Sequence, residues 1–279
     1  MNGRFIEKGR ACVSFLDHGF LYGDGVFETL RAYNGKIFMV KEHIKRLFSS
    51  TGAIRIKMPF SMPEIEKILY KTIGINKIEG AYIRITVTRG TGEPGLDTFS
   101  CKSSSVIVYA KNIRPHPERM YRQGIRAVIV GVNKIPPGSL NPAVKSCNFL
   151  SNIMAKIEAR ALGATEGIML SQEGYVAEGT ASNIFMVKKE VLTTPLVSTG
   201  ILEGITRQVV IKIARKSKIK VIEEKIKKEQ LYNSDEIFLT STLLEVMPVT
   251  EIDGRIVANG KPGTLTRLLL DKYRKETLE

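Results

Sequence analysis

The stretch NPAVKSCNFLSNIMAKIEARAL, residues 141–162, joins two segments of different character around one lysine. Its second half has the apolar spacing of an amphipathic helix, with one face formed by Leu150, Ile153, Ile157 and Leu162. Its first half begins with Asn-Pro and places Lys145 among small and polar residues. Such a lysine is either a solvated charge on a loop or an amine enclosed in a pocket for chemistry. The motifs elsewhere in the chain distinguish these two possibilities.

The size and composition of the chain are those of an ordinary globular protein with two moderate domains. It has 279 residues, of which 43% are hydrophobic and 25% charged. No apolar run approaches the roughly 18 residues of a membrane span, and the N-terminus lacks the apolar region of a secretory signal. Three cysteines at scattered positions make neither a disulfide framework nor a zinc site. We therefore expect a cytoplasmic protein with no metal and no membrane partner.

The net charge of +14 raises the possibility of a nucleic-acid partner. The basic residues are nevertheless spread along the chain, and the densest block, VIEEKIKKEQ at residues 221–230, also contains acids. The chain has no tryptophan and no basic stretch with interleaved aromatic residues. The pattern favours a solvated basic surface, so we predict no nucleic-acid partner.

The order of strand and helix patterns predicts an α+β fold. The first part contains two predicted hairpins, one from RFIEKG and ACVSF and one in residues 25–40 that turns at Asn34-Gly35. Helical spacing over residues 42–51 and a helix start at Ser61 precede two β-branched strands, AYIRITVTRG and SSVIVYAK. Strands in hairpins, without strict alternation of strand and helix, argue against a doubly wound sheet.

A proline-broken polar segment, NIRPHPERMYRQG at residues 112–124, predicts a domain boundary. We therefore expect a small N-terminal domain of residues 1–118 and a larger C-terminal domain of residues 119–279 that contains Lys145. The larger domain should hold the helix after Lys145, strands within residues 166–187, a helix from Gly204, the strand EIFLTST and a hairpin turning at Asp253-Gly254.

The hexapeptide GTGEPG, residues 90–95, fits the glycine pattern of a dinucleotide-binding loop. That loop requires its last glycine to open a helix whose N-terminus receives the pyrophosphate. Here LDTFSCKSSS follows, with no helical apolar period before the next strand. The context argues against a nicotinamide or flavin site.

Two residues suit the reactive end of a phosphorylated cofactor bound to an amine. A lysine ammonium is inert as a nucleophile, and burial or nearby cations free its lone pair for attack on an aldehyde, which is one interpretation of Lys145. Glu178, in EGTASNIF, is a carboxylate at the end of a half-buried strand and needs a partner. The protonated ring nitrogen of pyridoxal phosphate is a suitable one.

Three further segments suit a phosphate group. Gly204 precedes a clean helical period, so the amides of Ile205 and Thr206 start a helix whose positive end favours anions. Ser241 and Thr242 end a predicted strand, with hydroxyl and amide hydrogens to donate. Arg46, in EHIKRLF, suits bidentate contact with a phosphate. Taken alone, each of these residues also has a purely structural interpretation.

Together the segments resemble the class IV aminotransferases, the pyridoxal-phosphate enzymes of fold type IV, over nearly the whole chain. The motifs that carry the resemblance are DHGFLYGDGVFETLRAY, EHIKRL, YIRITVTRG, NPAVKSCNFL, EGYVAEGTASNIF, GILEGITR and EIFLTST. The resemblance implies pyridoxal 5′-phosphate as cofactor and a homodimer with shared active sites. It also implies a small N-terminal α/β domain and a larger C-terminal domain with a mixed, β-barrel-like core.

The resemblance also implies a role for each candidate residue. Lys145 is then the catalytic lysine that forms the Schiff base, Glu178 holds the ring nitrogen, and Leu202 packs against the ring. The residues that match or adjoin the phosphate-holding positions are Arg46, Gly204, Ile205, Thr206, Ser241 and Thr242.

The reaction implied is ping-pong transfer of an amino group from a branched-chain L-amino acid to 2-oxoglutarate. Tyr22, Tyr82 and Arg84 fall where branched-chain aminotransferases place two substrate-pocket tyrosines and the arginine that reads the side-chain carboxylate of glutamate. Phe27 and Leu243 are the other expected substrate contacts.

Three departures from the branched-chain pattern keep alternatives open. Phe149 replaces a tyrosine that bonds the cofactor, Leu243 and Leu244 replace small residues, and Thr29 replaces a glycine. The alternatives on the same fold are an aminodeoxychorismate lyase and a D-amino-acid aminotransferase. From another class, a non-enzymatic anion- or nucleic-acid-binding protein would fit the charge but has no need of Lys145 and Glu178.

Overall fold

A computed structural model of the chain describes residues 1–278, which fall into two compact units. The first unit contains Met1–Arg114 and Val144–Asn148, and the second contains Pro115–Ala143 and the chain from Phe149 onward. This division differs from the expected boundary chiefly at Val144–Asn148, because that segment groups with the first unit. Within residues 1–278, none of the helices has the length and apolarity needed to span a bilayer.

The first unit is a four-stranded antiparallel sheet with helices against it. The strand order is β2-β1-β3-β4, and Leu30, Ile83, Leu47 and Leu69 are among the fully buried residues of its core. Its elements are α1 (His18–Tyr22), β1 (Gly25–Tyr33), β2 (Lys36–Ile37), α2 (Val40–Ala53), α3 (Met62–Ile75), β3 (Ala81–Thr88) and β4 (Ser105–Asn112).

Local signals in the sequence determine one turn and one helix start in this unit. The β1–β2 hairpin turns at Asn34 and Gly35, which both have positive φ as a tight hairpin turn requires, so that prediction is confirmed. Helix α3 begins with a capping box in which the backbone N–H and hydroxyl of Ser61 both donate to the Glu64 carboxylate.

The predicted N-terminal hairpin is wrong. Residues 4–15 contain one 3₁₀ turn, Lys8–Arg10, and no strand. Residues 2–15 are all exposed, so no sheet covers their alternating apolar side chains. A short hairpin without such packing is at best marginally stable, which explains the failure of this pattern.

The second unit is built on a ten-stranded sheet, six strands of which close into a barrel. The closed path runs β8-β12-β13-β5-β6-β7 and returns to β8 through the pairing of Glu178 with Asn183. Its strands are β5 (Ile125–Ile129), β6 (Glu166–Leu170), β7 (Tyr175–Gly179), β8 (Asn183–Lys188), β9 (Val191–Pro195), β10 (Val221–Glu224), β11 (Ile226–Lys227), β12 (Glu236–Ser241), β13 (Glu245–Ile252) and β14 (Arg255–Ile256). Its helices are α4 (Glu118–Gln123), α5 (Leu150–Ala161), α6 (Ile205–Lys216), α7 (Lys228–Tyr232) and α8 (Thr264–Glu276). The predicted α+β class and barrel-like core are confirmed.

Helix α5 lies on this sheet in an orientation that the apolar spacing alone did not reveal. Its buried residues are Ala155 and Ala159, which pack with Met169 of β6. The larger apolar side chains Leu150 and Ile153 are exposed. The helix is confirmed, but in the single chain its large apolar face is turned to solvent.

Candidate active site

Lys145 is anchored to the first unit through its backbone. Its carbonyl accepts a hydrogen bond of 2.9 Å from the Phe27 N–H, and its own N–H donates to Ser50 Oγ at 3.2 Å. Cys147 N–H donates to the Gly25 carbonyl at 2.8 Å, so the segment runs beside β1. Lys145 itself is half-buried. It is therefore held on a fixed backbone rather than on a free loop.

The Phe27 ring brings three of the predicted residues together. The Nζ atom of Lys145 lies 4.7 Å from the ring centroid, and the guanidinium carbon of Arg84 lies 3.8 Å from it. Such contacts are attractive because the ring face carries partial negative charge. Because Phe27 is buried and Arg84 also donates to Thr86 Oγ1 at 3.1 Å, both cations have defined positions. Two cations around one buried ring form a site suited to an anionic substrate.

The two predicted substrate tyrosines have separate surroundings. Tyr82 lies on the same face of β3 as Arg84, because alternate residues of a strand share a face. The Nζ atom of Lys111 lies 5.3 Å from the centroid of the Tyr82 ring. The Tyr22 hydroxyl accepts a 2.6 Å hydrogen bond from the Gly95 N–H, and its ring meets His18 edge-on. Tyr22 is thus fixed to the loop that contains the GTGEPG hexapeptide.

Arg46 is held by a buried carboxylate that the sequence analysis missed. Its Nε and one terminal nitrogen donate to the two oxygens of Glu28, at 2.6 and 2.9 Å. His43 Nδ1 lies 2.8 Å from the same carboxylate. Burial alone would raise the pKa of Glu28, but the Arg46 guanidinium and His43 outweigh it and lower that pKa to about 2. The sequence did contain a signal for this contact, because Glu28 is an acid on the buried face of VFETL and such an acid needs a partner.

We expect Glu28→Gln to destabilise the protein by about 3 kcal/mol at neutral pH, since the pKa of Glu28 is lowered from 4.5 to about 2. A lowered carboxyl pKa stabilises the fold above the unfolded pKa, and that contribution is lost as pH falls. The difference in the free energy of unfolding between the variant and the wild type should therefore shrink below pH 4.5 and vanish near pH 2. Urea unfolding at a series of pH values measures it. The exposed Glu64→Gln is the control, and an equal pH dependence in both variants would contradict the assignment.

Glu178 is surrounded by three hydrogen-bond donors of the second unit. Its Oε2 accepts from the Leu202 N–H and from Asn183 Nδ2, both at 3.1 Å. Its Oε1 forms an ion pair with Lys134 Nζ at 2.7 Å. A carboxylate offers about four acceptor positions, so one remains for another donor. Sequence analysis missed Lys134, because its contact depends on the fold bringing separate segments together, and it missed Asn183 although that residue lies in the same EGTASNIF motif as Glu178.

Gly204 and the start of α6 are coupled to the Glu178 carboxylate through Asn183. Asn183 Nδ2 also donates to the Leu202 carbonyl at 2.8 Å, and a Cβ on Gly204 would lie 2.0 Å from Asn183 Oδ1. Only glycine permits this close approach. Gly204 is the N-cap of α6, so the amides of Ile205 and Thr206 are in the first turn, where helix geometry leaves N–H groups without intrahelical acceptors. This helix start is a ready-made anion site.

The turn after β12 carries the remaining predicted residues. Ser241 ends the strand, and its Oγ accepts from the Leu244 N–H at 3.1 Å, which closes a tight turn through Thr242 and Leu243. All four residues are half-buried. Their hydroxyls and amides are hydrogen-bond donors, and Leu243 and Leu244 supply apolar bulk.

Known proteins resemble this chain over nearly all of its length. The family model for amino-transferase class IV matches residues 25–252. A putative branched-chain-amino-acid aminotransferase of Methanocaldococcus jannaschii is 45% identical over 274 residues, covering 98% of this chain and 94% of the relative. A D-alanine aminotransferase of Bacillus licheniformis is 36% identical over 266 residues, covering 95% and 92%.

Among solved structures, a T.th. branched-chain amino acid aminotransferase with pyridoxamine 5′-phosphate matches this chain with a TM-score of 0.96. It is 34% identical, and the match covers 99% of this chain and 92% of that one.

Proposed function

The chain belongs to the amino-transferase class IV family, and from this premise we propose that it transfers the amino group of a branched-chain L-amino acid to 2-oxoglutarate. The observation that carries the proposal is that Arg84 and Lys145 both lie over the Phe27 ring. The acceptor 2-oxoglutarate has a second carboxylate, and a guanidinium near the reacting amine suits it. The name of the M. jannaschii relative supports the same donor class.

The cofactor of this family is pyridoxal phosphate, and the residues present fit its chemical groups. Glu178 keeps an acceptor position open for the ring nitrogen. The start of α6 offers amides for the phosphate, and Gly204 allows Asn183 to tie this helix start to Glu178. Lys145 provides an amine for the aldehyde. We assign the phosphate contacts to Arg46, Gly204, Ile205, Thr206, Ser241 and Thr242, and packing against the ring to Leu202.

When bound, pyridoxal phosphate supplies an aldehyde for the amino group and a ring that takes up electron density. Lys145 would hold the aldehyde through Nζ, and its free amine would move the α-proton of the substrate. Glu178 would hold a proton at the ring nitrogen, and Arg84 would bind the far carboxylate of the acceptor. The side chains that shape the substrate space are Tyr22, Phe27, Tyr82 and Leu243. The first product leaves before the second substrate binds, which gives ping-pong kinetics.

A D-amino-acid aminotransferase is the second candidate, and the 36% identical D-alanine aminotransferase supports it. Incubating the pure enzyme with 2-oxoglutarate and either L-leucine, L-isoleucine or D-alanine separates the two. We expect branched 2-oxo acids and glutamate from the L-substrates and no pyruvate from D-alanine. Pyruvate from D-alanine alone would reverse this ranking. Pyruvate released from aminodeoxychorismate without an acceptor would identify a lyase.

We also propose that the enzyme is a homodimer, with the large apolar face of α5 in the contact. Four side chains spaced as one helix face are each between 49% and 71% exposed: Leu150, Ile153, Met154 and Ile157. An apolar stripe of this kind is costly in water and marks an interaction surface.

Ile157→Asp should therefore shift the protein from dimer to monomer, because a carboxylate would be buried in an apolar contact. Sedimentation velocity at several protein concentrations measures the shift. Lys212→Asp, at an exposed position of α6, is the control and should leave the dimer intact. An Ile157→Asp protein that stays dimeric at all concentrations would exclude this face from the contact.

A further inference from the structure

Lys134 is a largely buried cation that the proposed reaction does not yet use. Its Nζ lies 2.7 Å from Glu178 Oε1, and the two side chains are only 15% and 8% exposed. Its backbone N–H donates to the Leu170 carbonyl at 2.8 Å, at the end of β6. The lysine is thereby attached to the barrel frame that also carries Glu178. Ion pairs at the surface of the same unit are different, since Lys188 and Asp235 are each about half exposed.

Glu178 has enough acceptor positions for Lys134 and a ring nitrogen to contact it at the same time. Oε2 is occupied by the Leu202 N–H and Asn183 Nδ2, and Oε1 has one position beside Lys134. A positive charge at 2.7 Å offsets much of the negative charge that a ring N–H would experience from this carboxylate. In a buried site such an effect is weakly screened by solvent.

We propose that Lys134 is a positioning residue that acts through Glu178 and limits how strongly the carboxylate holds the ring proton of the cofactor. This inference rests on the proposed contact between Glu178 and the ring nitrogen. Without Lys134, the carboxylate would attract a protonated ring more strongly. If the ring offered no proton, the Glu178 carboxylate would also remain a buried charge without a counter-charge.

The test compares the affinities of two cofactors that differ at one atom. Pyridoxal phosphate and its 1-deaza analogue, which has carbon in place of the ring nitrogen, are bound to each apoprotein and their Kd values measured by competition. The ratio of the two Kd values isolates the interaction at the ring nitrogen. In Lys134→Met we expect the preference for pyridoxal phosphate to rise by about tenfold or more. Lys134→Arg should restore the wild-type ratio, and the exposed Lys188→Met should leave it unchanged.

Glu178→Gln separates a failure of this inference from a failure of the proposed function. If Glu178→Gln abolishes the preference while Lys134→Met leaves or lowers it, Lys134 has no such role and the cofactor assignment stands. If Glu178→Gln has no effect on the ratio, the proposed contact of Glu178 is wrong. Lys134→Gln retains a polar donor and should shift the ratio in the same direction as Lys134→Met, which guards against misfolding of the methionine variant.

Discussion

Replacing Lys145 with alanine is expected to slow transamination by at least about ten-thousandfold and to remove the absorption band of the lysine-bound cofactor. The side chain provides the amine that holds the aldehyde and then moves the proton, so both functions disappear together. The backbone bonds that hold the segment to Phe27 and Ser50 do not involve the side chain, so the fold should be retained. Initial rates with L-leucine and 2-oxoglutarate, together with the visible spectrum, measure the effect.

A chemical test identifies the position directly. Borohydride reduction of the wild-type holoenzyme should attach the cofactor to the peptide that contains Lys145, and mass spectrometry should find none attached in Lys145→Ala. Lys45→Ala, at an exposed position of α2, is the control and should behave as wild type. An alanine variant that keeps both the absorption band and its turnover would refute the assignment of Lys145.

The parts of the fold that could be predicted are those encoded by a few neighbouring residues. The turn at Asn34-Gly35 follows from two residues that tolerate positive φ, and the start of α3 follows from Ser61 and Glu64. The apolar period of α5 predicted the helix but not what lies against it. Which face packs inward depended on Ala155 and Ala159 fitting closely on the sheet.

The candidate site likewise contains residues that the sequence reveals and residues that it does not reveal. Lys145, Glu178 and Gly204 could be found because each lies in a short motif. Some residues that hold these motifs in place could not be found, because they come from distant segments. Lys134 lies 44 residues before Glu178, and the two meet because the chain after β5 runs beside β6, which pairs with β7. Two partners did have a local signal, because an acid on the buried face of a strand, Glu28, requires a counter-charge, and Asn183 lies in the same motif as Glu178.

Glu178→Gln should lower kcat by about a hundredfold to a thousandfold while the protein still binds cofactor. The amide has nearly the same size as the carboxylate and can still accept from the Leu202 N–H. It carries no charge to stabilise a protonated ring nitrogen, so electron density developed at the substrate carbon is no longer drawn into the ring. The loss should fall on kcat rather than on the KM for the acceptor, because the acceptor's far carboxylate is assigned to Arg84.

Glu236→Gln is the matched control for this experiment. Glu236 is also a carboxylate of the second unit with three donors, from Thr266 N–H and hydroxyl and from the Leu265 N–H. It joins β12 to the start of α8, so its replacement should lower the thermal stability and leave kcat close to wild type. Glu178→Gln should show a large loss of kcat, and its Tm should also fall because Lys134 loses its buried counter-charge. If both variants lost stability and activity in the same proportion, Glu178 would be a structural carboxylate, because only contact with the reacting cofactor separates the two measurements.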